Sequence, residues 1–262
     1  KRQAARIVAL APSVTELVYA AGAGDRLVGV PLYSDYPREA AALPQIGDAS
    51  SIDAERVLAL KPDLVVGWAS GNRAVDLARL ERLGLPLFAV EPATLGDIPR
   101  VLRALGALAG TASPAEAAAR AFETETAALR ARHAGAAKVR VFYEIWHKPL
   151  MTVNGHHLIS DVIALCGGEN VFAALPLLTP VVSLEDVIAR KPAVVLGGGS
   201  AMAVGELAAR WRQYDGIAAL RGLPALYVDP DAIQRQTPRA LDGARQVCAH
   251  LAAVRAGNAT RP

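Results

Sequence analysis

The chain has 262 residues, 52% of them hydrophobic, with 28 Lys and Arg against 25 Asp and Glu, for a net charge of +3. That apolar content supplies the core of one large domain or of two lobes and excludes disorder, while basic residues scattered without a run exclude a nucleic-acid or membrane-surface tail. No uninterrupted apolar stretch reaches the roughly 18 residues that a membrane-spanning helix needs.

Arg6 to Leu10 is predicted as a first strand, Thr15 to Gly22 as a helix with a threonine cap and a glycine stop, and Leu27 to Val30 as a second strand. A short helix from Ala54 to Leu60 is stopped by Lys61 and Pro62; Leu64 to Val66 follows as a strand, Val75 to Leu83 as a helix ended by Gly84, and Leu87 to Val90 as another strand. Strands joined through helices imply a parallel sheet. Ser113 and Pro114 supply an N-cap and a first-turn proline to one long Ala- and Glu-rich helix running to about His133. Beyond it come a strand from Lys138 to Tyr143, a loop to Leu158, a helix to Cys166 and a turn over Gly167, Gly168, Glu169 and Asn170.

The chain states one pattern twice. Ile52 to Gly67, with Glu55, Lys61 and Pro62, is answered by Val182 to Gly197, with Glu185, Lys191 and Pro192. Gly84-Leu-Pro86 running into Val90, Glu91 and Pro92 is answered by Gly222-Leu-Pro224 running into Val228, Asp229 and Pro230. Two copies are too few for a solenoid but suit two similar α/β lobes facing across a cleft. The expected fold is therefore α/β, with mainly parallel sheets in an N-terminal lobe over 1–112 and a C-terminal lobe over 137–262, and a rigid connecting helix over 113–136.

Catalytic signatures are missing: there is no Walker phosphate loop, no Gly-x-Gly-x-x-Gly after the first strand, no Gly-x-Ser-x-Gly elbow and no His-Glu-x-x-His. The run Gly197, Gly198, Gly199, Ser200 lacks the lysine and spacing of a phosphate loop and reads as a flexible loop at the cleft edge. His156 and His157 are adjacent, so their side chains diverge, and no other histidine has ligand spacing; no metal site is expected. Instead, strand-to-helix loops carry large amphipathic side chains: Tyr33 and Tyr36, Trp68, and Trp146 with His147. In open parallel sheets, ligands bind outside the carboxyl ends of the strands, where these loops lie. Glu55 and Glu185 each occupy the first turn of a short helix, favoured there by the helix dipole. The duplication also gives them a second use, as one carboxylate per lobe for docking onto a two-fold partner carrying arginines. Cys166 and Cys248 fit no Cys-x-x-Cys pattern and read either as two buried free thiols or as a bridge in an exported protein.

These residues resemble the substrate-binding proteins of ABC importers with a helical backbone and, within them, the periplasmic cobalamin binders. The likeness runs through nearly the whole chain. It rests on Leu10-Ala-Pro-Ser-Val-Thr-Glu16, Tyr33-Ser-Asp-Tyr-Pro37, Glu55 to Asp63, Trp68 with Gly71 and Asn72, Cys166 to Phe172, Val182 to Glu185, and Pro238 and Arg239 with Gln246 to Cys248. The resemblance implies a Cys166–Cys248 disulfide, a corrinoid held between the lobes without chemistry on it, and docking of Glu55 and Glu185 onto permease arginines. It also implies ligand contacts at Tyr33, Trp68, Asp231 and Arg235, joined by Trp146 and His147, and Ser34 is expected to bond the amide rim of the ligand beside Asp231 and Arg235. Two family aromatics appear here as Ala49 and Thr179, for which Trp146 and His147 compensate; axial coordination of cobalt by His147 stays open. The expected protein is a periplasmic monomer, its leader already removed before Lys1, free or lipid-anchored. Alternatives are a haem or ferric-siderophore binder with Tyr33, Tyr143 or His147 at the iron, and a cytosolic α/β enzyme with free thiols.

Overall fold

The structure, a computed structural model, describes residues 3–199 and 202–257. Its contacts divide it into two compact units, Lys1–Pro92 with Gly96–Thr124, and Ala93–Leu95 with Glu125–Pro262. Ser200, the last residue of the glycine run, lies outside the described residues.

The first unit comprises β1 (Ile7–Ala9), α1 (Pro12–Ala20), β2 (Leu27–Gly29), β3 (Gly47–Asp48), β4 (Ser51–Ile52), α2 (Ala54–Ala59), β5 (Leu64–Trp68), α3 (Ala74–Arg82), β6 (Leu87–Val90) and α4 (Asp97–Ala109). Helix α5 (Ala112–His133) carries the chain into the second unit. There follow β7 (Val139–Glu144), α6 (Leu158–Leu165), β8 (Gly168–Asn170), α7 (Leu184–Arg190), β9 (Val194–Gly197), α8 (Glu206–Arg212), β10 (Ala225–Tyr227), α9 (Pro230–Ile233) and α10 (Ala240–Arg255).

Each unit holds a parallel four-stranded sheet, β2-β1-β5-β6 in the first and β8-β7-β9-β10 in the second. The orders are superimposable, so the duplication read in the sequence is a duplication of topology. It extends to single side chains. Arg6, just before β1, donates from Nε to the Lys61 carbonyl at 3.2 Å, and Arg140 of β7 donates to the Lys191 carbonyl at the same distance. Lys61 and Lys191 both end their helices in the left-handed region, at φ 46° and 45°. Each arginine thus satisfies carbonyls that a helix end leaves without partners.

The cores are built from the apolar residues that alternate with these turns. Val8, Leu10, Ile46, Val57, Val65 and Leu80 are buried together in the first unit. In the second, Phe142 meets Phe172 and Trp211 edge-on at ring-centroid distances of 5.6 and 5.7 Å, geometry that adds to simple area burial. Cys166, closing α6, is joined to Cys248 of α10 across 82 residues, with Cα atoms 4.7 Å apart and both residues buried. That bridge excludes the free-thiol reading that accompanied a cytosolic enzyme.

Several boundaries differ from expectation. Thr15 is not a cap: α1 begins three residues earlier at Pro12, whose fixed φ suits the first helical position, and the Thr15 side chain is buried within the helix. The expected turn over Gly168 to Asn170 is the edge strand β8, paired with β7. Gly168 is required there because a Cβ would sit 2.6 Å from Ile163 Cγ2. Helix α5 starts before Ser113 and Pro114, following α4 through the left-handed Gly110 (φ 70°). Helix α4 was not anticipated, although Ile98, Leu102, Leu105 and Ala109 form its buried stripe.

His157 caps α6, its Nδ1 accepting from Ile159 N at 3.1 Å in a site only 7% exposed. Burial lowers its pKa to about 4. The folded chain therefore keeps it neutral to about pH 4, whereas the unfolded chain protonates it near 6.5. This contribution, about 3 kcal/mol, is complete above pH 6.5 and is lost as pH falls toward 4. Urea unfolding across that window is expected to show a steeper pH dependence in the wild type than in His157→Asn, which caps without titrating; equal slopes would refute the assignment.

Candidate functional site

In the first unit, the loop after β2 turns sharply at Tyr33, which takes a left-handed backbone (φ 67°) and is 76% exposed. Such a conformation is costly for an aromatic residue and persists where neighbours hold it. Ser34 does so: it is buried, its hydroxyl 3.1 Å from Thr15 Oγ1, which itself donates to the Ala11 carbonyl at 3.3 Å. The structure thus gives Ser34 an internal bond that anchors the loop presenting Tyr33. Tyr36 is 49% exposed on the same loop.

Trp68 is the last residue of β5 rather than a loop residue, and it is half-buried. Its backbone N–H donates to Asn72 Oδ1 at 2.7 Å, and its indole Nε1 reaches Glu91 Oε1 at 3.4 Å. Gly71 lies against the ring, where a Cβ would fall 1.8 Å from Trp68 Cε3. Asn72, only 5% exposed, donates to the carbonyls of Leu10 at 2.8 Å and Ala49 at 3.0 Å, tying the ends of β1 and β5 to the β3–β4 turn.

In the second unit, β7 ends at Glu144, buried to 3% exposure. Its Oε2 accepts Trp211 Nε1 at 2.6 Å, and its Oε1 is paired with the Arg210 guanidinium. Trp146 follows, 61% exposed, its indole donating to the Lys148 carbonyl at 2.9 Å and its backbone bridged to Met151, which bridges Val181 in turn. The His147 imidazole sits with Nδ1 3.7 Å from Glu144 Oε1. Burial and, after it, the Arg210 charge hold it below the ordinary histidine range, so it is a neutral ring at neutral pH. Trp146, His147, Gly198, Met202 and Arg210 line a cavity of about 330 Å³.

Asp231 lies in α9 and pairs with Arg235 at 3.0 Å, the arginine side chain being 15% exposed. Gln234 of the same turn donates to the Gly198 carbonyl at 3.1 Å and to the Tyr143 hydroxyl at 3.4 Å. Tyr143 is fully buried, and burial raises its pKa.

Glu55 and Glu185 are both exposed at the second position of α2 and α7. Asp53 caps the first helix by accepting from Glu55 and Arg56 N–H at 3.1 Å. Ser183 and Asp186 close a reciprocal capping box on the second, at 2.9 and 3.1 Å. Among the described residues no group of three or more His, Cys, Asp or Glu side chains could hold a metal, and no helix is long and apolar enough to cross a membrane.

Sequence reasoning missed Asn72 as a clamp, Glu91 as a partner of Trp68, and the Glu144–Arg210–Trp211 cluster. Glu91 carried a signal in the repeated Val-acidic-Pro step, and Asn72 stood in the Trp68 motif without its clamping role being read.

Comparison with known proteins places this geometry. The chain is 40% identical over 250 residues to the vitamin B12-binding protein of Vibrio parahaemolyticus, spanning 95% of this chain and 90% of that protein. It is 38% identical over 251 residues to that of Yersinia pestis, spanning 96% and 88%. The crystal structure of the periplasmic vitamin B12-binding protein of Vibrio cholerae superposes with a TM-score of 0.87 at 36% identity, covering 96% of this chain and 98% of that one. Residues 7–223 match the periplasmic binding protein family, and the chain belongs to it.

Proposed function

We propose that the protein captures cobalamin or a related corrinoid in the periplasm and delivers it to the permease of an ABC importer, as a transport component and not an enzyme. The observation that carries this reading is 40% identity across 95% of the chain to a protein named for binding vitamin B12. The exposed aromatics Tyr33 and Trp146, with half-buried Trp68, support it, since flat apolar faces suit a macrocycle. Asp231 and Arg235 supply a charged donor and acceptor for its amide rim, and His147 a neutral ring beside Trp146. Ser34 enters as the anchor of the Tyr33 loop. Glu55 and Glu185, alike in position and exposure, are the docking carboxylates for permease arginines. The chain acts as a monomer, free or lipid-anchored, with α5 as the connection between its lobes.

Calorimetric titration with cyanocobalamin, run beside cobinamide, haemin and one ferric siderophore, tests the ligand. Tight one-to-one cobalamin binding is expected; heat with haemin or siderophore and none with either corrinoid would overturn it. In the same assay Trp68→Ala should weaken binding by about 1–3 kcal/mol, the loss of an anchoring aromatic. An unchanged dissociation constant would remove Trp68 from the site.

A further inference from the structure

The repeated Val-acidic-Pro step is a part of the duplication that neither ligand contact nor docking uses. In the first unit Val90 ends β6 in register with Trp68 of β5, so Glu91 emerges beside the Trp68–Asn72 segment. Its carboxylate is divided over that segment: Oε2 accepts Ser70 N–H at 2.7 Å, and Oε1 takes the Trp68 indole N–H at 3.4 Å. With Gly71 packed against the ring and Asn72 holding the Trp68 backbone, the indole is fixed at its edge, its flank and its root.

In the second unit Val228 follows β10 and donates to the Gly197 carbonyl at 2.9 Å. Asp229 then accepts from Asp231 N–H at 2.9 Å, capping α9, while its own N–H is held by Gln246 Oε1 at 2.9 Å. The capped turn carries the Asp231–Arg235 pair, and Gln234 beyond it grips the carbonyl of Gly198, the residue that stands in the second copy where Trp68 stands in the first. At one repeated position, then, an acidic side chain just past the last strand of the sheet ties down the contact segment of its own unit.

We propose that Glu91 and Asp229 are paired positioning residues, each holding its unit's contact side chains in the bound arrangement before the ligand arrives, without touching the ligand. The proposal rests on the corrinoid reading above. Its physical basis is that a contact side chain left to rotate must be ordered on binding, at a cost in affinity of about 3- to 10-fold per residue.

The test uses the intact chain carrying 5-fluorotryptophan; its three tryptophans give three fluorine resonances, and Trp68→Phe assigns one of them. In Glu91→Ala the Trp68 resonance of the unliganded protein is expected to move, the urea midpoint to hold, and corrinoid affinity to fall about 3- to 10-fold. Glu91→Gln, which keeps one acceptor oxygen, should recover part of that loss. In a Trp68→Ala background, Glu91→Ala should cost nothing further. Asp229→Ala should weaken binding and Asp229→Asn, itself a good cap, should restore it. Unchanged affinity in Glu91→Ala, or full additivity with Trp68→Ala, overturns the positioning role. A wild-type chain that binds no corrinoid overturns the ligand reading and the affinity claim together, while the fluorine spectra still decide whether Glu91 orders Trp68.

Discussion

Replacing both Cys166 and Cys248 by alanine is expected to cost about 4–5 kcal/mol of stability, and reduction of the wild type to cost a similar amount. The bridge closes a separation of 82 residues, which in the chain-entropy account removes a correspondingly large freedom from the unfolded ensemble. It also links α6 to α10, helices on either side of most of the second unit's sequence, so its loss lets α10 detach from a core it otherwise seals. Urea unfolding of the double variant, followed by far-ultraviolet circular dichroism, gives the difference directly. A shift below about 1 kcal/mol would show that packing alone holds α10, with the covalent link adding little to a state already ordered.

Arg210→Met should destabilise the chain by about 3–5 kcal/mol, because it leaves the Glu144 carboxylate buried beside Trp211 without its counter-charge. The magnitude reflects the stranded charge rather than the worth of the pair, so adding Glu144→Gln to Arg210→Met should return much of the loss. In the cyanocobalamin titration proposed above, affinity should fall too, since Trp146 and His147 are the second and third residues after Glu144. Unfolding titrations of the two single variants and the double variant close a cycle whose coupling energy reads the pair. A single variant within about 1 kcal/mol of the wild type would refute the picture of a buried, charge-paired anchor.

Both results concern groups whose environments come from far along the chain, and they mark where sequence reading stopped. The two-lobe plan was legible because its cues are local: Lys61–Pro62 and Lys191–Pro192 stop helices in place, and the apolar runs from Leu64 and Val194 need no partner to be recognised as strands. Repetition doubled each cue. The large aromatics near the strand ends stood out because such side chains usually fill a core; the structure places Tyr33 and Trp68 in the first unit and Trp146 in the second.

What the sequence by itself determined is the duplicated α/β order, the parallel strand topology that such order forces, the cysteine positions and the family. Tertiary structure alone decided which way individual side chains face. Ser34 and Tyr33 are adjacent and both suited to a ligand, yet one is buried against Thr15 and the other is 76% exposed. Thr15 is a natural cap by type, but Pro12 starts the helix earlier. Gly168 to Asn170 has turn composition, but the open edge of β7 recruits it as a strand. Glu144 carries no local mark at all, since its partners lie 66 and 67 residues away. Local propensity and periodicity act over a few residues, whereas burial and charge pairing depend on contacts that exist only after the chain has closed on itself.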